Sequence, residues 1–184
     1  MSKRVRSRFI VGWLAAVIIV VAGACGSGSG SSSSSADCGN EASDNCTPTV
    51  SASQPLTVDA ITYRLKGAST AGTVGDPALL GAKAKGVFVI IKLRAKSNRK
   101  ETGTFSQEMF KLVAGGKEYS ADDAAITAFD QNFFYEDIGP DTSATGKLAF
   151  DVAPKVLNNN PKLKIGELGF GSTYGYIELP NVKR

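Results

Sequence analysis

The sequence predicts an all-β protein, a two-sheet antiparallel sandwich, carried behind an N-terminal export segment. Three observations predict it. About seven or eight short segments with two-residue apolar alternation recur between Gln54 and Arg184, at the spacing that builds sandwiches. Gly, Pro, Asn and Asp punctuate them as turn signals. No window carries three turns of an amphipathic helix. A closed barrel has the same periodicity and stays as the alternative.

Residues 1–24 read as a signal peptide. Lys3, Arg4, Arg6 and Arg8 precede Phe9 to Ala24, an uncharged run of 16 residues. That is the length of a signal-peptide core and short of the ~20 residues that cross a bilayer as a helix. Ala22-Gly23-Ala24 fits the A-x-A site of ordinary signal peptidase, whereas small residues directly before Cys25 resemble a bacterial lipobox, with Ala22 in place of the usual Leu.

Residues 25–53 read as a disordered linker. Gly26 to Ser35 holds only Gly and Ser, a flexible coil that buries no apolar surface. A lipid-anchored protein needs such a spacer. The three cysteines divide accordingly, Cys25 for the lipid and Cys38 with Cys46 for a disulfide in an oxidising compartment. Two soft ligands without a second pair make a poor metal site. Because the loop between them is short and polar, the disulfide is expected to stiffen the linker and add little to the domain's stability. The expected location is the outer face of the cytoplasmic membrane, extracellular and lipid-anchored. An uncleaved anchor and a cleaved soluble product are the alternatives.

The formal net charge of +4 belongs to the leader. Without its four basic residues, 17 of the 21 Lys and Arg remain against 17 Asp and Glu. No excess positive field is left to hold a nucleic acid. The chain has no His, which removes Ser-His-Asp and Cys-His triads, most catalytic zinc sites and any His-based pH switch. A copper carrier lacks soft ligands, with only Met109 beyond Cys25 apart from the cysteine pair.

From 54 to 184 the chain reads as one domain. Leu56 to Val58 and Ile61 to Leu65 alternate out of phase, which a bulge or bend near Ala60 reconciles. Gly72 to Lys85 reads as a long small-residue loop. Val87 to Ser97 is the clearest core strand: Val87, Val89, Ile91, Leu93 and Ala95 on one face, Phe88, Ile90, Lys92, Arg94 and Lys96 on the other. Ser106 to Met109 and Asp122 to Phe129 fit short capped turns. Phe110 to Val113 and Glu118 to Ser120 flank the hairpin signal Gly115-Gly116. Phe133 to Ile138, Lys147 to Val152, Lys162 to Ile165 and Tyr174 to Leu179 complete the strands.

The segments Lys85-Gly86-Val87-Phe88-Val89-Ile90-Ile91-Lys92-Leu93, Ser97-Asn98-Arg99-Lys100, Thr104-Phe105-Ser106, Gly116-Lys117-Glu118-Tyr119 and Thr145-Gly146-Lys147-Leu148-Ala149-Phe150-Asp151-Val152 resemble the telokin-like secreted domain of unknown function common in Gram-positive lipoproteins. The resemblance spans about Val58 to Leu179. It implies the immunoglobulin-like antiparallel β-sandwich of the mycobacterial immunoprotective extracellular protein and an exported location. It implies no active site.

Asp122-Asp123, Asp130 and Glu136-Asp137 are the acidic groupings, and they are expected to face water, since neither a calcium-loop spacing nor a glycosidase spacing is present. No catalytic residue, metal or cofactor is expected. Phe133, Phe134 and Tyr135 are three consecutive aromatics, and a strand cannot turn all three inward; Phe134 and Tyr135 are the candidate surface contact. Tyr174 and Tyr176 are expected to pack against glycine. The expected function is a non-enzymatic, membrane-tethered binding module for an envelope protein or glycan. The alternatives are a structural spacer or accessory subunit of an envelope complex, or an enzyme using Asp or Tyr.

Overall fold

The computed structural model describes residues 38–76, 80–133, 135–169, 171–180 and 182. The leader, Cys25 and Phe134 lie outside the described residues. Among the described residues eleven strands form, three of them only two residues long: β1 (Thr49–Val50), β2 (Leu56–Val58), β3 (Ile61–Asp76), β4 (Leu80–Ser97), β5 (Gly103–Thr104), β6 (Phe110–Ala114), β7 (Lys117–Ser120), β8 (Asp137–Ile138), β9 (Ser143–Val152), β10 (Lys162–Gly166) and β11 (Tyr174–Glu178). One sheet runs β2-β3-β4-β9, a second β1-β11-β10-β6-β7, and β5 pairs with β8. The sheets stay open, so the architecture is a sandwich and not a barrel.

The alternation in β4 sets the centre. Val89, Ile91 and Leu93 face inward with Leu148 and Phe150 of β9, against Phe110, Leu112, Leu163, Ile165 and Ile177 of the other sheet. Tyr63, Phe105, Phe110 and Phe133 meet edge-on or tilted within this core, with ring centroids 5.0 to 6.4 Å apart. The outward Phe88 packs in a second cluster with Val74, Ala125 and Ala149. Helix α1 (Asp123–Thr127) covers it, started by Asp122, whose side chain accepts from Ala125 N at 2.9 Å. That cover accommodates an apolar residue on the outer side of β4.

Four expectations change. The bend at Ala60 is a tight hairpin: Asp59 and Ala60 both take positive φ, 51° and 57°, the geometry a two-residue type I′ turn demands. Residues 72–76 and 80–85 are strand, because β3 and β4 continue in register from Thr73/Lys83 to Asp76/Leu80; backbone pairing overrides the weak strand propensity of their small side chains. The described residues Phe133, Tyr135 and Glu136 are not strand, which resumes at Asp137. The chain at Asn132 crosses the edge of β9 at Gly146, where a Cβ would sit 2.8 Å from the Asn132 carbonyl carbon.

The fourth change concerns the linker. Residues 38–53 are part of the sandwich, not disordered. Ala42 N donates to Thr57 O at 2.8 Å and Thr57 N to Asn40 O at 2.7 Å, so this segment covers the outer edge of β2. β1 then pairs in parallel with β11, Thr49 opposite Tyr176 and Val50 opposite Ile177. Val50 and Ala42 join the core. Two apolar side chains in a polar stretch dock because each finds an open sheet edge to pair with.

Candidate functional site

On the outer face of the β11-β10-β6-β7 sheet, strand alternation sets out a row in register: Tyr176, Lys164, Lys111 and Ser120. The next row carries Glu178, Lys162, Val113 and Glu118. Two of the three lysines in these rows are ion-paired, while Lys111, directly opposite Lys164, meets a neutral hydroxyl. Lys164 Nζ donates to Glu118 Oε1 at 2.9 Å, and Lys162 lies 3.5 Å from Glu178. Lys111 Nζ donates to Ser120 Oγ at 3.0 Å. Lys164 also sits 4.3 Å from the centroid of the Tyr174 ring, a cation–π contact. Tyr174 meets Tyr176 edge-on at 5.7 Å.

At one end of this face lies a groove of about 650 Å³, bordered by Thr104, Glu108, Tyr135, Lys164, Thr173 and Tyr174 among others. Tyr135 is 70% exposed and adopts φ +50°, a region bulky residues rarely take. Phe133 is buried in the core, whereas Tyr135 stands outside it. The hydrogen bond it donates to Glu118 holds the Lys164 ammonium above the usual lysine range, with burial opposing it. Burial, then the neighbouring Tyr174, raise the Tyr176 phenol. At neutral pH the face therefore presents a neutral Tyr176 phenol beside a firmly protonated lysine.

Of the residues singled out in the sequence, Tyr135 stands at the groove. Cys38 and Cys46 form a disulfide with Cα atoms 5.6 Å apart. Their loop lies next to the groove wall, since Thr173 Oγ1 donates to Asp44 Oδ1 at 3.1 Å. Asp122 caps α1, and Asp137 accepts from Thr104 Oγ1 at 2.6 Å. Asp130 and Glu136 border a shallow depression with Ser143 and Thr145, and burial raises the Glu136 carboxyl. Among the described residues no three His, Cys, Asp or Glu gather where they could hold one metal ion, and no helix is long and apolar enough to cross a membrane.

Tyr174 and Tyr176 depart from expectation. They face outward, while Gly175 between them packs inward, a Cβ there coming 2.7 Å from Leu56 Cδ1. β11 lies inside its sheet, since β1 covers its far side. Lys164 and Glu118 were missed altogether. The period-two pattern of Lys162 and Lys164 placed them on one face, but nothing local shows that Glu118, 46 positions away, stands within reach.

No curated protein matches the sequence. Solved structures share its fold. The secreted protein MPT63 of Mycobacterium tuberculosis aligns with a TM-score of 0.54 at 14% identity, over 72% of this chain and 97% of that one. The yjhA protein of Bacillus subtilis gives 0.55 at 9% identity, over 71% and 99%. A further Bacillus subtilis protein, ycdA, assigned as a lipoprotein, gives 0.54 at 15% identity over 69% of this chain, which spans only 38% of that protein's length. At these identities the likeness is one of fold, the β-sandwich. The profile of the family described as "Domain of unknown function (DUF4352)" matches residues 51–173, from the strap before β2 to the threshold of β11, and the chain belongs to that family.

Proposed function

We propose that this chain is an extracellular lipoprotein, tethered to the membrane through Cys25, whose sandwich is a non-catalytic module that binds an envelope glycan in the Tyr135–Tyr174 groove. The observation that carries the reading is the groove itself: two tyrosines on its border, with the hydroxyls of Thr104 and Thr173 and the Lys164–Glu118 pair between them. Aromatic rings cover the apolar faces of a sugar while flanking polar groups take its hydroxyls. With its ammonium and carboxylate engaged with each other, this arrangement suits holding a ligand in place over moving its protons. The export segment and the Gly/Ser run after Cys25 support the location, and two proteins of like fold bear the words secreted and lipoprotein in their descriptions.

Calorimetric titration with a β-linked N-acetylhexosamine oligosaccharide tests the binding. The expected result is saturable binding that Tyr135→Ala and Tyr174→Ala each weaken about tenfold, equivalent to about 1.4 kcal/mol. Unchanged affinity in both variants would overturn the groove as the site. Mass spectrometry of the membrane fraction tests the tether: an N-terminal acylated Cys25 is expected, and an unmodified Cys25 contradicts it.

A further inference from the structure

The opposite face of the sandwich, the outer side of β2-β3-β4-β9, carries a second feature independent of the groove. α1 covers its apolar part around Phe88 and Ala149. The uncovered part presents Arg64 from β3, Lys92, Arg94 and Lys96 from β4, and Lys147 from β9. Register places Arg64 directly opposite Arg94 and Lys92 directly opposite Lys147. Two like-charged cross-strand pairs in adjacent rows are destabilising in a sheet. Among the described residues none of the five is in an ion pair. Lys147 lies 5.2 Å over the Phe129 ring. The outward positions between and beside them are Thr62, Asn98, Ser143 and Thr145, with no acid among them; Asp130 and Glu136 lie beyond, at the β9 margin. Thr62, Arg64, Arg94, Lys96 and Asn98 line a shallow cleft of about 390 Å³.

We propose that this face binds an anionic phosphodiester polymer with a polyol or sugar backbone. The chemistry selects that class in four steps. Five uncompensated cations in three adjacent rows call for a polyanion. Two guanidiniums facing each other across one strand pair suit a tetrahedral phosphate, whose several oxygens bridge both forks. Along β4, Lys92, Arg94 and Lys96 repeat about every 6.8 Å, twice the rise per residue, and phosphates joined by a three-carbon linker repeat at a comparable spacing. The hydroxyl and amide side chains of Thr62, Asn98, Ser143 and Thr145 match a hydroxylated backbone. A nucleic acid would need stacking platforms between the cations, and those positions hold none. A bilayer would favour apolar side chains among them, and the apolar part of this face is already covered by α1.

The test is a titration of the folded domain with a synthetic glycerol-phosphate oligomer. Polyglutamate of equal charge, phosphatidylglycerol vesicles and single-stranded DNA serve as separate arms. The proposal expects binding to the oligomer with a log–log salt slope of about −2 to −4, as for release of a few counterions. It expects the double variant Arg64→Gln/Arg94→Gln to lose at least tenfold in affinity with no fall in melting temperature, and the groove variant Tyr174→Ala to bind unchanged. It is overturned if the oligomer fails to bind at low salt, or if the double variant binds as the parent does. It is equally overturned if polyglutamate, the vesicles or the DNA bind as tightly as the oligomer.

Discussion

On the five-stranded sheet Lys162 faces Glu178 and Lys164 reaches Glu118; on the four-stranded sheet Arg64 faces Arg94 and Lys92 faces Lys147. Both surfaces are built from outward positions of regular strands, and both carry basic side chains at alternate residues. One neutralises Lys162 and Lys164 within the sheet, gives Lys111 a neutral hydroxyl, and leaves its binding character to tyrosines. The other leaves its charge for something outside the chain. A net charge of zero over the residues beyond the leader conceals this division, because the sum counts residues and the field depends on where register places them.

The largest expected effect lies where the four-stranded face is covered. Phe88→Ala removes a buried ring from beneath α1 and should cost about 3 kcal/mol in urea unfolding. Lys92→Ala, four residues along the same outward row, should change stability by less than about 0.5 kcal/mol. Equal effects would mean that the covered and open halves of this face do not differ.

Next in size is the strap that runs from the edge of one sheet to the edge of the other. Since Ala42 and Val50 are core residues and the segment pairs with β2 and β11, reducing the Cys38–Cys46 bond should lower stability by about 2 kcal/mol on the loop-entropy account. A reduced protein with an unchanged urea midpoint would return this segment to the status of a linker.

On the paired face, the Lys164 and Tyr176 values are both raised by folding. The folded state thus holds these protons more tightly than the unfolded chain does. Their stabilisation is complete below the unfolded values near 10 and is lost as pH climbs through the higher folded ones. Lys164→Met should flatten the alkaline limb of a melting-temperature profile above pH 10 and cost a few tenths of a kcal/mol at pH 7, since water still reaches both members of the Lys164–Glu118 pair. An alkaline limb as steep as the parent's would show that this pair does not couple to folding.

The smallest effect has the opposite sign. Arg94→Thr removes one member of a repelling pair and should raise stability by a few tenths of a kcal/mol at low ionic strength. The gain should shrink as salt screens the repulsion. A loss of stability would show that Arg94 has a stabilising partner.

The difference between the two faces was only half legible in the sequence. Alternation in Val87 to Ser97 put Lys92, Arg94 and Lys96 on one side, because a strand has only two faces to offer. The partners of that row are set by a type I′ turn at Asp59-Ala60, whose Ala is an uncommon residue for positive φ, and by the register shift between Leu65 and Gly67. Neither announces itself locally, so the meeting of Arg64 with Arg94 could not be read. Gly115-Gly116 was legible because glycine reaches φ of 58° and 73° at little steric cost. The groove was legible only as Tyr135. Its other wall comes from β10, β11 and the turn between them, brought to it by strand order. The strap was misread because its polar composition hides the two side chains that dock.

Two double-mutant cycles measured side by side decide the matter most directly, Arg64/Arg94 on one face and Lys164/Glu118 on the other, each by chemical unfolding at low ionic strength. The predicted couplings have opposite signs, repulsive for the arginines and attractive for the lysine–glutamate pair, each about 0.2 to 1 kcal/mol. An arginine cycle with zero or favourable coupling would contradict the division of charge between the faces.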